Sequence, residues 1–443
     1  HIRQMRCAWD GLDALHRRIR ELLGHDRASP GSYVNAFAVL AMPTTPADQL
    51  AAARNYGRYL AAQVREHQVA PTIGELSRLR VGFVSSDFRD HPMTALMVEF
   101  WERIDRGRIE VFAYGIDARS EAHVGRRIER AMEHFVDLSE ESSIEVAKRI
   151  RADRIAILFD LNGYTRSAKP AIFALRPAPV QINCIGFPGT LGAPWYDYIY
   201  TDRFSLPERS RPFYTERPLY MPHMSFPSDT TRLPAGPPPT REACGLPQRG
   251  FVFCCFNNAY KILPDVFSLW MRLLQAVPES VLWLLETLPE AKANLCREAV
   301  RAGVDPQRLI FAPRAPVGEH VARNAAADLF LDTYPYGAHT TANDALLAGL
   351  PVLTCAGDTL VSRIAGSQLH AIGLPELATE RLADYERLAL TLATQPALLR
   401  SYRDRLAAHR ATHPLFDMIA YANDFAELVE RIWREHAGGV RAS

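Results

Sequence analysis

The sequence carries almost no excess charge. Over 443 residues, 51 Lys and Arg stand against 50 Asp and Glu, a formal net charge of +1. That balance leaves no electrostatic footprint for nucleic acid or for an anionic membrane. Long hydrophobic runs are also missing. None approaches the length that spans a bilayer, and no signal peptide opens the sequence. Cysteine is sparse: seven residues, no C-x-x-C pair, and Cys254 beside Cys255 inside an apolar run. Reduced, buried thiols in a cytoplasmic protein are expected, not a disulfide framework or a zinc site.

Several catalytic signatures are absent as well. There is no G-x-x-x-x-G-K-[ST], no G-x-G-x-x-G after a strand, no G-x-S-x-G and no H-E-x-x-H. A P-loop, a dinucleotide oxidoreductase, a serine hydrolase elbow and a zincin are therefore disfavoured. No D-x-D occurs, so the common carboxylate grip on a metal–diphosphate is missing. If a diphosphate binds, helix N-termini, hydroxyls and a Lys have to hold it in place of Mg²⁺.

What is present is a rhythm. The length and 48% hydrophobic residues suit two or three domains with large cores. Residues 1–77 read as helices, with apolar residues at helical spacing in "WDGLDALHRRIRELL" and "PADQLAAARNYGRYLAAQV". From 78 to 202, short apolar runs such as "LRVGFVSSDF", "IEVFAYG", "IAILFDLNGY" and "PVQINCIGFPG" alternate with helical stretches. Residues 203–249 are proline-rich, without sustained period, and read as a connection. The alternation restarts over 250–443 with "GFVFCCFNN", "SVLWLL", "RLIFAP", "DLFLDTYPY" and "PVLTCAG", and three helical segments close the chain. Buried strands alternating with helices predict α/β architecture: two doubly wound domains in tandem after an N-terminal helical segment. In such sheets ligands bind beyond the C-terminal strand ends, at the switch point of strand order.

The residues after each predicted strand are therefore the candidates. They are His91, the turn at Gly189, Asn257 and Asn258 with Lys261, Ala315 with His320, and His339, Thr340 and Thr341 opening a helix that carries Asp344. Each has a plainer reading. His91 or a threonine can cap a helix, Lys261 can be a surface charge, the asparagines can satisfy their own backbone, and Gly189 can serve only a turn. Together, at one predicted edge, they form the pattern of a nucleotide-type site.

"LRVGFVSSDFRDHP", "DLNGYT", "FALRPAPVQINCIGFPGT", "FCCFNNAYK", "PESVLWLL" and "GAHTTANDAL" resemble the protein O-GlcNAc transferase family, which includes the SPINDLY-type enzymes. The resemblance runs from about 78 to 435, and the first 75 residues look like the helical linker that follows the family's tetratricopeptide repeats. It implies a B-type glycosyltransferase fold with two Rossmann-like domains. It also implies inverting, metal-independent transfer of a sugar to Ser or Thr of a protein or peptide, with a UDP-sugar as donor and no cofactor. Carried over by position, His339, Thr340 and Thr341 would meet the donor diphosphate and Lys261 would neutralise the leaving phosphate. Asn258 stands where the animal enzyme has Gln. Asp344 would bond the ribose, Ala315 and His320 would lie by the base, and Gly189 would line the donor. Val317 stands where the animal enzyme has Lys. His91 matches a histidine proposed as general base; it could equally orient the sugar, with the α-phosphate as base. UDP-GlcNAc is the expected donor. GDP-fucose, the SPINDLY-like chemistry, and a catalytically silent peptide-binding scaffold are the alternatives. The sequence sets no oligomeric state.

Overall fold

The computed structural model describes residues 1–23, 34–64, 76–89, 91–117, 123–233 and 236–441. Much of the stretch expected to lead into the first sheet, 65–75, lies outside the described residues. The chain forms two compact units. One comprises Arg20–Val39, Thr44–Asp229 and Asp417–Ser443; the other comprises His1–Ile19, Leu40–Pro43 and Thr230–Phe416.

The first unit holds seven strands: β1 (Leu79–Ser85), β2 (Ile109–Gly115), β3 (His134–Asp137), β4 (Ile157–Asp160), β5 (Val180–Asn183), β6 (Tyr198–Asp202) and β7 (Arg217–Met221). They lie in the order β3-β2-β1-β4-β5-β6-β7, and every pairing is parallel. The central strands are buried along nearly their whole length, as a parallel sheet covered on both faces requires. The chain winds outward from β1 to β3, then returns to the other side of β1 at β4. The switch point lies between β1 and β4. Strand β7 falls inside the stretch expected to be a connection. Its Pro218 hides it from a strand reading, yet an edge strand tolerates a residue that cannot donate to the ladder.

The last helix, Met418–Arg441, belongs to this first unit, not to the C-terminal domain in which the sequence reading placed it. Its Phe425 ring meets Phe83, Phe100 and Phe159 at centroid distances of 6.3, 4.9 and 5.5 Å. The Tyr421 hydroxyl donates to the Ser225 carbonyl at 2.8 Å and accepts from the Tyr200 hydroxyl at 2.8 Å. Helical periodicity marks an apolar face, but it does not say which sheet covers that face.

The second unit repeats the winding with six strands: β8 (Val252–Cys255), β9 (Val281–Leu285), β10 (Leu309–Ala312), β11 (Leu329–Leu331), β12 (Val352–Cys355) and β13 (Ala378–Thr379). Their order is β10-β9-β8-β11-β12-β13, all parallel, so the switch point lies between β8 and β11. The large aromatics Trp270 and Trp283 are fully buried here. Among the described residues no helix is long and apolar enough to cross a membrane.

Candidate functional site

At the second switch point, β8 runs into Asn257 and β11 into Asp332 and Thr333. All three side chains are buried. The Asn257 amide donates to Asp332 Oδ1 at 3.0 Å and to Thr333 Oγ1 at 2.7 Å, and its oxygen accepts from the Thr341 hydroxyl. Asp332 also accepts from the Thr333 and Ala338 backbone N–H groups at 2.7 and 2.6 Å and from Thr354 Oγ1 at 2.6 Å. One amide thus pins the ends of two strands and the start of the helix Thr340–Leu347. A buried polar cluster holds a unique geometry when each member finds a partner.

Lys261 closes a short turn after β8. Its ammonium donates to the Gly337 carbonyl at 2.8 Å and stands 4.1 Å from the centre of the Tyr336 ring. Burial pulls it down to about 8, opposed by the nearby Asp332 carboxylate. His339 is the N-cap of the helix Thr340–Leu347, and its side chain makes no capping bond. The capping role considered for Thr340 or Thr341 is therefore not observed. The first turn also holds no acid. The first N–H groups of a helix and the positive end of its dipole suit an anion.

The structure refines which of the HTT side chains can serve that anion. Thr341 already donates its hydroxyl proton to Asn257. Burial and the adjacent Lys261 hold His339 well below the usual imidazole range, so the ring is neutral. Its Nε2 lies 3.3 Å from the Val361 carbonyl. A carbonyl only accepts, so the proton sits on Nε2 and Nδ1 carries a lone pair. A lone pair suits a sugar hydroxyl, not a phosphate oxygen. Lys261, the Thr340 hydroxyl and the helix backbone remain as anion donors.

A second cluster lies around Asp344, which is buried. Arg232 donates to Asp344 Oδ1 and, at 2.6 Å, to Asn343 Oδ1. Burial raises the Asp344 carboxyl and Arg232 pulls it back. His320 Nε2 lies 3.9 Å from Asp344 Oδ2, and Arg323 Nη2 contacts His320 Nδ1 at 2.5 Å. A guanidinium only donates, so Nδ1 accepts and neutral His320 presents an Nε2–H. Burial, then Arg323, Arg232 and Arg314, push this imidazole down to about 4. Ala315 lies on the loop between β10 and the helix Val317–Arg323 that carries His320. Asn258 opens the Lys261 turn, and its side chain does not cap it.

At the first switch point, Asn162 follows β4. It accepts from the Ser86 N–H and donates to Asp87 Oδ2, both at 2.7 Å. Asp160, buried at the end of β4, accepts from the Asn162 and Gly163 N–H groups and from the Tyr196 hydroxyl at 2.9, 2.8 and 2.5 Å. His91 caps the helix Pro92–Arg103 through Nδ1, which accepts from the Met93 N–H at 3.2 Å, and its Nε2 lies 3.9 Å from Asp87 Oδ1. Neutral His91 therefore carries its proton on Nε2 and is arranged as a donor. Of the roles open to it, orienting fits this geometry better than proton abstraction.

Gly189 is buried in a tight turn. Its N–H donates to the Phe187 carbonyl at 2.9 Å and its carbonyl accepts from the Asn183 amide at 2.8 Å. The glycine that close approach demands is instead Gly186, where an added Cβ would lie 1.9 Å from the Leu161 carbonyl oxygen. Beneath this loop Glu216, fully buried, accepts from Thr190 Oγ1 and the Leu191 N–H, both at 2.6 Å.

The structure thus gathers Lys261, His339, Thr340 and Thr341 at one switch point, and Asp344 with His320 beside it in the same unit; His91 and Gly189 lie at the other sheet's strand ends. Arg232, Arg323, Asp332 and Glu216 were not singled out from sequence. Arg232 sits in the proline-rich stretch, and nothing local signals its partner. Among the described residues no group of three or more His, Cys, Asp or Glu is placed to hold a metal.

A family model, glycosyl transferase family 41, matches residues 63–235 and 238–425. The chain is 34% identical over 456 residues to a probable UDP-N-acetylglucosamine–peptide N-acetylglucosaminyltransferase SEC of Arabidopsis thaliana, covering 99% of this chain and 47% of that protein. It is 30% identical to the UDP-N-acetylglucosamine–peptide N-acetylglucosaminyltransferase of Caenorhabditis elegans, covering 82% of this chain and 41% of the relative. It thus spans less than half the length of these curated relatives. A solved structure of a mutant Thermobaculum terrenum O-GlcNAc transferase superposes with a TM-score of 0.80 at 26% identity, covering 98% of this chain and 81% of that one.

Proposed function

The chain belongs to glycosyl transferase family 41, and from that premise we propose that it transfers N-acetylglucosamine from UDP-GlcNAc to Ser or Thr hydroxyls of a protein, with inversion and without a metal ion. The observation that carries this reading is the Lys261 ammonium on the Gly337 carbonyl, just before the helix Thr340–Leu347, whose N-cap side chain leaves the first N–H groups without a capping bond from it. The acceptor oxygen bonds to the anomeric carbon as that carbon's bond to the diphosphate oxygen breaks. The leaving UDP takes the electron pair, and the acceptor hydroxyl passes its proton to an oxygen of the donor α-phosphate. Negative charge grows on the diphosphate, where Lys261, Thr340 and the helix N–H groups are already oriented. Preorganised donors stabilise such a transition state without reorganising.

The remaining residues take supporting roles. His339 accepts a sugar hydroxyl through Nδ1. Asp344, held by Arg232, accepts from the ribose, and His320 with Ala315 and Asn258 lies along the nucleoside. His91 donates through Nε2 to the donor or the acceptor, and the Gly189 turn flanks the sugar. All seven cysteines are unpaired thiols, which supports a reducing, cytoplasmic setting.

Thermal shift with UDP, with GDP and without nucleotide tests the donor, because a ligand of the native state raises the melting temperature. UDP should stabilise and GDP should not; the reverse would favour GDP-fucose. Mass spectrometry of an acceptor peptide incubated with UDP-GlcNAc should then show one added sugar on Ser or Thr. EDTA should leave that transfer intact. Complete loss restored by Mg²⁺ would overturn the metal-free diphosphate site.

A further inference from the structure

The first residues of the chain sit against the turn that carries Lys261. Within the second unit, the short helix Ile2–Met5 and the residues after it rest on Ala259–Lys261. Gln4 is fully buried, and its amide donates to the Ala41 carbonyl at 2.7 Å. Cys7 is fully buried, with Sγ 3.6 Å from the Ala259 carbonyl oxygen. The His1 ring meets the Tyr260 ring at 4.9 Å, and Tyr260 meets Tyr336 at 5.8 Å. Tyr336 is the ring beneath the Lys261 ammonium. Trp9 packs on Phe267 at 5.4 Å, in the helix Pro264–Ala276 that follows the turn.

The backbone at Cys7 adds a second sign. Its φ is +48°, in the left-handed region that glycine occupies without cost and other residues rarely enter. A glycine there would relax the backbone but would lose the side chain that reaches Ala259. The position keeps a strained residue together with its contact.

We propose that Cys7 and Gln4 are positioning residues for Lys261: Cys7 meets the turn Ala259–Lys261 at the Ala259 carbonyl, Gln4 ties the helix that rests on this turn to Ala41, and together they hold the ammonium on Tyr336, facing the donor diphosphate. The second half of this statement rests on the role of Lys261 given above. The N-terminal segment is then part of the site's support, and displacement of that segment would act on the donor side through this turn.

The test reads Lys261 directly. The chain has four lysines, Lys148, Lys169, Lys261 and Lys292, so reductive ¹³C-methylation gives four side-chain amine signals, and Lys261→Arg identifies one of them. The groups facing Lys261 are Asp332 and Cys255 at the strand ends and His339 at the helix start, with the Tyr260 and Tyr336 rings beside it. In the native protein its signal should titrate near 8. In Cys7→Gly and in Gln4→Ala it should move up towards the ordinary 10.5 as the turn loosens and water reaches the ammonium. Cys7→Ser, which keeps a donor towards Ala259, should restore the native titration. Circular dichroism checks that each variant is folded, and Cys7→Gly is the one whose backbone is already suited to the site. An unchanged Lys261 titration in both folded variants would overturn the proposal. UDP separates it from the reading of the site: if the variants move the Lys261 signal but UDP never perturbs it in the native protein, the positioning stands and the diphosphate role of Lys261 falls.

Discussion

The two switch points use the same device in opposite directions. In the first sheet the bridging amide, Asn162, follows β4 and reaches back to the loop after β1. In the second, Asn257 follows β8 and reaches forward to the end of β11. Each sheet also buries a carboxylate at the end of its fourth strand, Asp160 closing β4 and Asp332 following β11, that gathers backbone N–H groups and one hydroxyl. What differs is the charge presented next to this frame. The first switch point offers Asp87 and a histidine arranged as a donor; the second offers an ammonium and an uncapped helix start. The frame is common and the chemistry is local. The second edge presents the cation and N–H donors that an anion requires, and the first presents none of that arrangement.

The largest effect should come from breaking the frame itself. Asn257→Ala removes three buried hydrogen bonds, to Asp332, Thr333 and Thr341, and should cost about 3 kcal/mol in urea unfolding, at about 1 kcal/mol net for each. Asn162→Ala removes two, from Ser86 and to Asp87, and should cost about 2 kcal/mol. Equal losses would deny the asymmetry. Lys261→Ala leaves the frame intact and should weaken UDP binding roughly ten- to a hundred-fold by calorimetry, the scale of a charge-assisted contact. Native affinity would remove Lys261 from the donor site.

The pH dependence of UDP binding is a gentler probe of the same edge. Free Lys261 loses its proton near 8, and a bound diphosphate raises that value. Affinity should therefore hold below pH 8 and fall as pH rises through it, by about tenfold between pH 7 and 9. A flat profile would mean that Lys261 does not meet the anion as a cation. The smallest effect is expected at the first edge. His91→Asn keeps a side chain favoured at a helix N-cap but removes the Nε2–H. The donor KM should rise about three- to tenfold, the worth of one neutral hydrogen bond, with kcat little changed. A fall in kcat of about 10²–10⁴ would instead restore His91 as general base.

Much of this was legible in the sequence. Runs such as "LRVGFVS" and "VFCC" are apolar and flanked by helical periods, so strands, their alternation with helices and the doubly wound class follow from local pattern. The polar residues after each run are equally local, which is why Lys261, His339, Thr340 and Thr341 were found together. β7 was hidden by Pro218, and the two-residue β13 is too short to carry a period. Arg232 was invisible because its partner Asp344 lies 112 residues away.

The sequence by itself determined which segments become strands and helices and which side-chain chemistry stands at the strand ends, because periodicity and residue type act within a few residues. Tertiary structure decided which of those groups is already engaged. Thr341 gives its proton to Asn257, His339 turns its lone pair outward from Val361, and His91 turns its own to a helix cap. It also decided that the last helix covers the first sheet and that the first residues rest on the Lys261 turn. A hydrogen bond or a ring contact needs its partner within a few ångströms, and only the folded chain brings residues hundreds of positions apart to that distance.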